Sequence, residues 1–286
     1  MKKPKFHFKA KYIFLFLLFS YVIVCQSCMT MRMNPKETSG YFKTSNVAFL
    51  SQTETIGSHK IHYIQTGNPA APTLFFVHGS PGSWDAFKSY LSDSLLLSKY
   101  RLIAVDRLGF GYSDFGNAEG LPEQAKILET LIEKIDNKQP ITLIGHSLGG
   151  PVVVQMAAEK PAMFHRIFVL SGAIDPNAET PELWRAVLKA KPIRYLIPGA
   201  LRTSNDELWL LKSDLYDLKP LLKNIRCSVT IIHGTKDPLV PFSNVAFMEK
   251  NFVNAKMIDI LTIENANHFI PWEHFKLIRD ALFKAD

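Results

Sequence analysis

The sequence predicts an α/β protein: a mostly parallel central sheet of about eight strands, helices on both faces and a short helical lid. Three observations carry this prediction. Short runs of Val, Ile, Leu and Phe recur along the chain, bounded by Gly, Pro or polar residues. Segments with apolar residues three and four positions apart, the helical spacing, fall between those runs. The runs are also apolar throughout rather than alternating, the pattern of strands covered on both faces. Composition agrees. With 286 residues, 47% hydrophobic and 21% charged, the chain is no disordered tail, collagen or disulfide-stapled miniprotein, and it is long enough to bury a large core.

Taken in order, Asn46–Leu50 and His59–Gln65 read as two short strands joined through Gly57, a hairpin signal. Thr73–Val77 (TLFFV), Arg101–Val105 (RLIAV), Ile141–Ile144, Ile167–Leu170, Val229–Ile232 and Met257–Ile263 complete the strands. Helical spacing covers Trp84–Leu97, Leu121–Ile135, Leu148–Glu159, Asn244–Asn251 and Trp272–Phe283. Between Asp175 and Ile225 the alternation stops. Helical pieces at Pro181–Ala190, Asp206–Leu211 and Leu215–Ile225 replace it, with Ser204 or Asn205 as a cap for the second. A lid inserted at about residues 176–214 follows, placed over the strand ends where an open α/β sheet holds its ligand. No internal repeat or low-complexity tract occurs.

The charge is concentrated at one end. Lys+Arg is 33 and Asp+Glu 26, a net charge of +7, but Lys2, Lys3, Lys5, Lys9 and Lys11 supply five of those seven. The body lacks the basic stripe a nucleic-acid-binding surface requires. Tyr12–Val24 then runs 13 residues without a charge, followed by Cys25-Gln26-Ser27-Cys28. A basic segment, a short apolar run and a small residue before a processing point form the secretory pattern. The run is short against the 17–25 or so residues of a spanning helix. Residues 25–28 resemble a bacterial lipoprotein signal ending at Cys28, the lipidation candidate, although Cys25 stands where that signal usually has Leu. The alternative is an uncleaved signal anchor. In both, residues 1–28 export the chain and residues 29–45, polar and irregular, link a membrane tether to a domain over 46–286 outside the cytoplasm. If Cys28 is lipidated, Cys227 has no disulfide partner and reads as a small buried hydrophobe.

The chemistry sits in three separated places. Gly145-His146-Ser147-Leu148-Gly149 follows the strand ITLI and opens a helix, the context a G-x-S-x-G nucleophile turn requires. The turn is so sharp that side chains at 145 and 149 would collide, and glycine removes them. Ser147, a poor nucleophile unaided, needs a base. His268, in the loop after the last strand, is the candidate; His274 falls on the polar side of the final helix. Asp237, in the loop after VTII, is the candidate for the acid that orients the base, with Asp175 after the preceding strand as its competitor. His78-Gly79-Ser80-Pro81-Gly82 makes a tight loop beside the nucleophile, and the backbone N–H groups of Ser80 and Leu148 could form an oxyanion hole. His78 reads as a buried brace. His59 and His62 alternate on a strand with no evident third metal ligand.

Together HGSPG, DRLGFGYSD, GHSLGG, HGTKDPLVP and NANHF, in this order and at strand ends, resemble the α/β-hydrolase fold from about Val47 to Phe283. In that family the order is Ser, then Asp or Glu, then His, which Ser147, Asp237 and His268 follow. The resemblance implies a serine hydrolase of small or medium esters with an apolar acyl group, without metal or organic cofactor. An amidase, thioesterase or carbon–carbon hydrolase with the same three residues is the alternative, and a binding protein that lost catalysis the remote one. Dehalogenases and epoxide hydrolases of this fold have Asp where Ser147 stands. Asp106 and Arg107 are expected to shape the loop beside the site. Oligomeric state leaves no mark in the sequence.

Overall fold

A computed structural model describes residues 9–27, 29–180 and 182–285. Helix α1 (Ala10–Ser27) leads into α2 (Pro35–Thr44), strands β1 (Phe49–Ile56), β2 (His59–Gly67) and β3 (Thr73–Val77), then the short helices α3 (Lys88–Leu91) and α4 (Ser94–Leu97). Strand β4 (Arg101–Val105), α5 (Leu121–Ile135), β5 (Ile141–His146), α6 (Gly149–Glu159) and β6 (Arg166–Leu170) follow in alternation. The lid segment carries α7 (Trp184–Lys189), a 3-10 turn at Ile193–Leu196 and α8 (Gly199–Leu218). The chain closes with β7 (Ser228–Gly234), α9 (Ser243–Asn251), β8 (Met257–Ile263), α10 (Ile270–Glu273) and α11 (Phe275–Lys284).

Among the described residues the strands form one eight-stranded sheet in the order β1-β2-β4-β3-β5-β6-β7-β8. β2 pairs antiparallel with β1 and β4, and every other pairing is parallel. Adjacent residues of each inner strand face opposite sides of the sheet. Phe75, Val77, Leu143, Val169 and Ile231 pack against α5 and α6, whereas Leu74, Phe76, Ile144, Phe168 and Ile232 pack against Trp84, Phe87, Tyr90 and the final helix. The register pairs Val77 with Gly145, Gly145 with Val169, and Gly234 with Ile263. The parallel strands therefore end along one edge, and the loops after them share it.

Several expectations change. The stretch 29–45, expected as an irregular linker, contains α2. Asn34 caps it through a reciprocal pair, its Oδ1 accepting from Glu37 N–H at 2.9 Å while its own N–H donates to the Glu37 carboxylate at 2.8 Å. Phe42 on α2 is fully buried against Phe49 and Trp84. Trp84–Leu97 is a 3-10 turn and two short helices rather than one helix, because Asp93 stops one turn and caps the next through Leu96 N–H. The two helices expected around Asp206 and Leu215 are one helix, α8, followed by a 3-10 turn at Lys219–Asn224. Ser204 and Asn205 lie buried inside it instead of capping it. β8, expected to be covered on both faces, is an edge strand with Met257 and Ile260 exposed. Among the described residues no helix is long and apolar enough to cross a membrane. Cys28 lies outside the described residues. Cys227 is buried and unpaired, and burial pushes its thiol up to about 11.

Candidate active site

The turn after β5 places Ser147 at φ +54°, the left-handed region that a residue with a Cβ enters at a cost of about 1–2 kcal/mol. Its N–H donates to Leu170 O and its carbonyl accepts from Gly150 N–H, both at 2.9 Å. Space forces glycine on either side. A Cβ on Gly145 would lie 2.2 Å from Gly149 O, and one on Gly149 would lie 2.2 Å from Val77 O. The loop after β3 also approaches closely, since a Cβ on Gly79 would come within 2.9 Å of Ser147 Cβ.

His268 and Asp237 meet as the sequence anticipates. His268 Nδ1 donates to Asp237 Oδ2 at 2.7 Å, with both side chains nearly inaccessible. Burial pushes the Asp237 carboxyl up. The His268 hydrogen bond and the N–H groups of Val240 and Leu239 outweigh it, holding the carboxyl below the usual carboxylate range. Asp175 is elsewhere engaged, its Oδ1 accepting from Asn177 N–H in a turn, so of the two acids it is Asp237 that meets His268. His274 stands at the residue before α11 and makes no side-chain hydrogen bond to its first turn. His268 reaches the Ser147 turn through its neighbour: its carbonyl accepts from His146 Nε2 at 3.0 Å, with the rings 4.9 Å apart.

His146 and His233 complete the frame, and neither was singled out from the sequence. Burial, then the neighbouring His268, pushes His146 down to about 3. Burial likewise lowers His233, whose Nε2 donates to Val240 O at 3.0 Å and lies 3.5 Å from Asp237 Oδ2. Each sits beside a recognised motif residue at a strand end, and that position was the available signal.

Beside the turn, a buried network holds the HGSPG loop. His78, fully buried, donates from Nδ1 to Gly79 O and accepts at Nε2 from Arg107 N–H. Burial and the Arg107 charge lower its pKa well below the usual histidine range. Arg107 donates to His78 O at 2.8 Å, Gly79 O at 2.9 Å and Gln124 Oε1 at 2.6 Å, and it forms a bidentate pair with Glu207 of α8 at 2.7 and 3.0 Å. Glu207 lies 100 residues away on the lid and carried no sequence signal. Asp106 accepts from Trp84 N–H, Tyr112 N–H and His62 Nδ1, so it shapes the glycine-rich loop as expected. His59 pairs with Asp114. Ser80 Oγ donates to Ser204 Oγ of α8 at 2.8 Å, setting the lid on the loop. Of the tryptophans, Trp272 reaches the site, 5.2 Å ring to ring from His146. Clefts of about 470 and 650 Å³ lie away from Ser147, one beside His59 and Asp114, the other beside Glu133 and Lys160.

A parallel sheet with a Ser turn after β5, an Asp loop after β7 and a His loop after β8 defines the α/β-hydrolase fold, and the chain has that fold. A family model described as the alpha/beta hydrolase fold matches residues 72–195. Over 118 residues the chain is 32% identical to the uncharacterized hydrolase YugF of Bacillus subtilis, covering 41% of this chain and 42% of YugF. It is 26% identical over 167 residues to human monoglyceride lipase, covering 55% and 54%. The chain thus spans about half or less of these relatives' lengths. The structure of 2-hydroxy-6-oxo-6-phenylhexa-2,4-dienoate hydrolase from Rhodococcus sp. strain RHA1 superposes with TM-score 0.67 at 20% identity, over 84% of this chain and 99% of that one.

Two outcomes are expected. Glu207→Gln leaves the Arg107 charge buried without its counter-charge and should cost about 3–5 kcal/mol in denaturant unfolding. His146 is neutral in the folded chain down to about pH 3 but takes a proton near pH 6.5 when unfolded. Its contribution is therefore complete above pH 6.5 and is lost as pH falls toward 3, at up to about 1.4 kcal/mol per pH unit. His146→Gln should flatten the fall in stability between pH 6.5 and 5, and equal slopes in the two proteins would refute the assignment.

Proposed function

We propose that the protein is a serine hydrolase that cleaves carboxylic esters through an acyl-enzyme. The observation that carries this reading is the His268–Asp237 hydrogen bond beside the strained Ser147 turn. An imidazole whose Nδ1 proton is held by a carboxylate has its lone pair on Nε2, the form a general base needs. In the proposed sequence Ser147 Oγ attacks the ester carbonyl as His268 Nε2 takes its proton. His268 returns that proton to the leaving alkoxide, and water reverses the steps to release the acid. The oxyanion is assigned to the N–H groups of Ser80 and Leu148, a role favoured by the close approach of the HGSPG loop to Ser147. These steps call on no metal or organic cofactor. The apolar edge offered by Trp272 and Phe269 favours a small or medium apolar acyl group.

The N-terminal segment is proposed to export the domain and hold it at a membrane, outside the cytoplasm. Burial of Cys25, with its Sγ 3.9 Å from Leu196 O, favours a retained segment over cleavage before a lipidated Cys28. The intact mass of the exported protein decides between them: the retained reading expects residues before 28 to be present, and a lipid-bearing chain starting at Cys28 refutes it.

The reaction is tested with p-nitrophenyl esters from acetyl to palmitoyl and the full chain in detergent. Ser147→Ala should lower kcat/KM by about 10³-fold or more. Asp237→Asn should fall by a comparable order and Asp175→Asn should stay near wild type. Turnover that survives Ser147→Ala, or equal losses in the two Asp variants, would overturn the assignment.

A further inference from the structure

We propose that the outer face of the lid docks on an anionic lipid bilayer, with α1 immersed beside it, so that the candidate active site receives acyl esters held in that bilayer. The last clause rests on the serine-hydrolase reading; the docking does not.

Helix α1 is the first observation. Phe14, Phe16 and Phe19 are 63%, 69% and 66% exposed, and Leu15, Leu17 and Ile23 are exposed between them. A helix apolar on all sides belongs in an apolar medium. The protein covers only the C-terminal end, where Tyr21 Oη donates to Leu196 O at 3.0 Å and Cys25 is buried. The uncharged run spans roughly 20 Å at 1.5 Å per residue, less than the ~30 Å hydrocarbon core. Lying along the boundary between headgroups and acyl chains accommodates it without crossing and keeps Lys9 and Lys11 at headgroup level.

The lid is the second. Helix α7 and the Ile193–Leu196 turn have no buried residue. They present Leu183, Trp184 and Val187 at 75%, 50% and 57% exposure, with Ile193, Tyr195 and Leu196 also exposed. Beneath them the polarity is inverted, because the buried residues of α8 from Arg202 to Glu207 are all polar. Ser204 and Glu207 bond the catalytic loop network, and Asp206 pairs with Arg194. A lid polar toward the protein and apolar toward the outside is built for an apolar partner.

Charge selects the bilayer. Lys9 and Lys11 at the start of α1, and Lys189 and Lys191 at the end of α7, have no ion pair among the described residues, whereas Arg185 and Arg194 are taken by Glu182 and Asp206. Cations around an apolar face complement anionic headgroups. Residues 29–33 keep this face close to the site. Met29 O accepts from Ala200 N–H, Met31 O from Ser83 Oγ, and Met33 O from Tyr112 Oη.

The test uses the full chain with vesicles of phosphatidylcholine and phosphatidylglycerol containing brominated lipid. Trp184 should be quenched, so Trp184→Phe should lose that component of the signal. Leu183→Glu/Val187→Glu should lower turnover of a long-chain ester embedded in the vesicles by about tenfold or more and leave turnover of soluble p-nitrophenyl acetate within about twofold. Quenching should weaken in pure phosphatidylcholine. Identical quenching in wild type and Trp184→Phe overturns the docking, as does a detergent-stable dimer that the double variant abolishes with no quenching by lipid. Quenching unaffected by removing phosphatidylglycerol overturns the anionic assignment. Quenching of Trp184 without hydrolysis of either ester leaves the docking standing and removes the serine-hydrolase reading.

Discussion

The tight turn at Ser147 is the constraint from which the rest of the site follows. Gly149 packs so closely on Val77 O that any side chain would overlap it, and Gly145 meets Gly149 in the same way. That contact fixes where α6 leaves β5 and how near β3 can bring the HGSPG loop. It also holds Ser147 in the left-handed region, a cost carried by the bonds its backbone makes to Leu170 and Gly150. A looser turn would free the backbone but release the serine from its close approach to the β3 loop.

Around that turn the site is polar and buried, an expensive combination unless each group finds a partner. The solution is local for the histidines. His78 and His233 each donate to a carbonyl of their own loop, and His146 donates to the carbonyl of His268. Burial lowers the basicity of His78, His146 and His233, so none of the three brings a competing cation against Asp237, which accepts from His268 Nδ1. For Arg107 the solution is distant. Its guanidinium has two carbonyls, an amide and a carboxylate from three different segments, which ties the HGSPG loop, α5 and the lid into one unit.

Much of this was legible in the sequence because it is local. The strands TLFFV and RLIAV and the helix Leu121–Ile135 have the expected bounds, since uninterrupted apolar runs and a clean helical period leave little choice. The loops that carry Ser147, Asp237 and His268 could be located because each follows a strand, and parallel strands bring such loops to one edge. What was missed depends on tertiary context. Phe42 turns an apparently polar linker into a packed helix, a decision made by Phe49 and Trp84 rather than by its neighbours in sequence. Exposure of β8 depends on its place at the sheet edge. Glu207 has meaning only opposite Arg107, and buried Ser204 and Asn205 looked like caps because polar residues inside a helix ordinarily face water.

The same buried polarity explains the orientation of the lid. An apolar α7 would ordinarily turn inward onto α8, but the first half of α8 is committed to Ser80, Arg107 and Arg194 through Ser204, Glu207 and Asp206. Turning Leu183, Trp184 and Val187 inward would set hydrocarbon against those groups and break hydrogen bonds that the HGSPG loop requires, each worth about 1.5–3 kcal/mol where a charge takes part. The bonds that organise the site thus leave the apolar residues of the lid on the outside. In water alone that exposure is unfavourable by roughly 25 cal/mol per Å². An apolar phase beside the lid reverses the sign, and the residues that hold the loop then also orient the lid toward that phase.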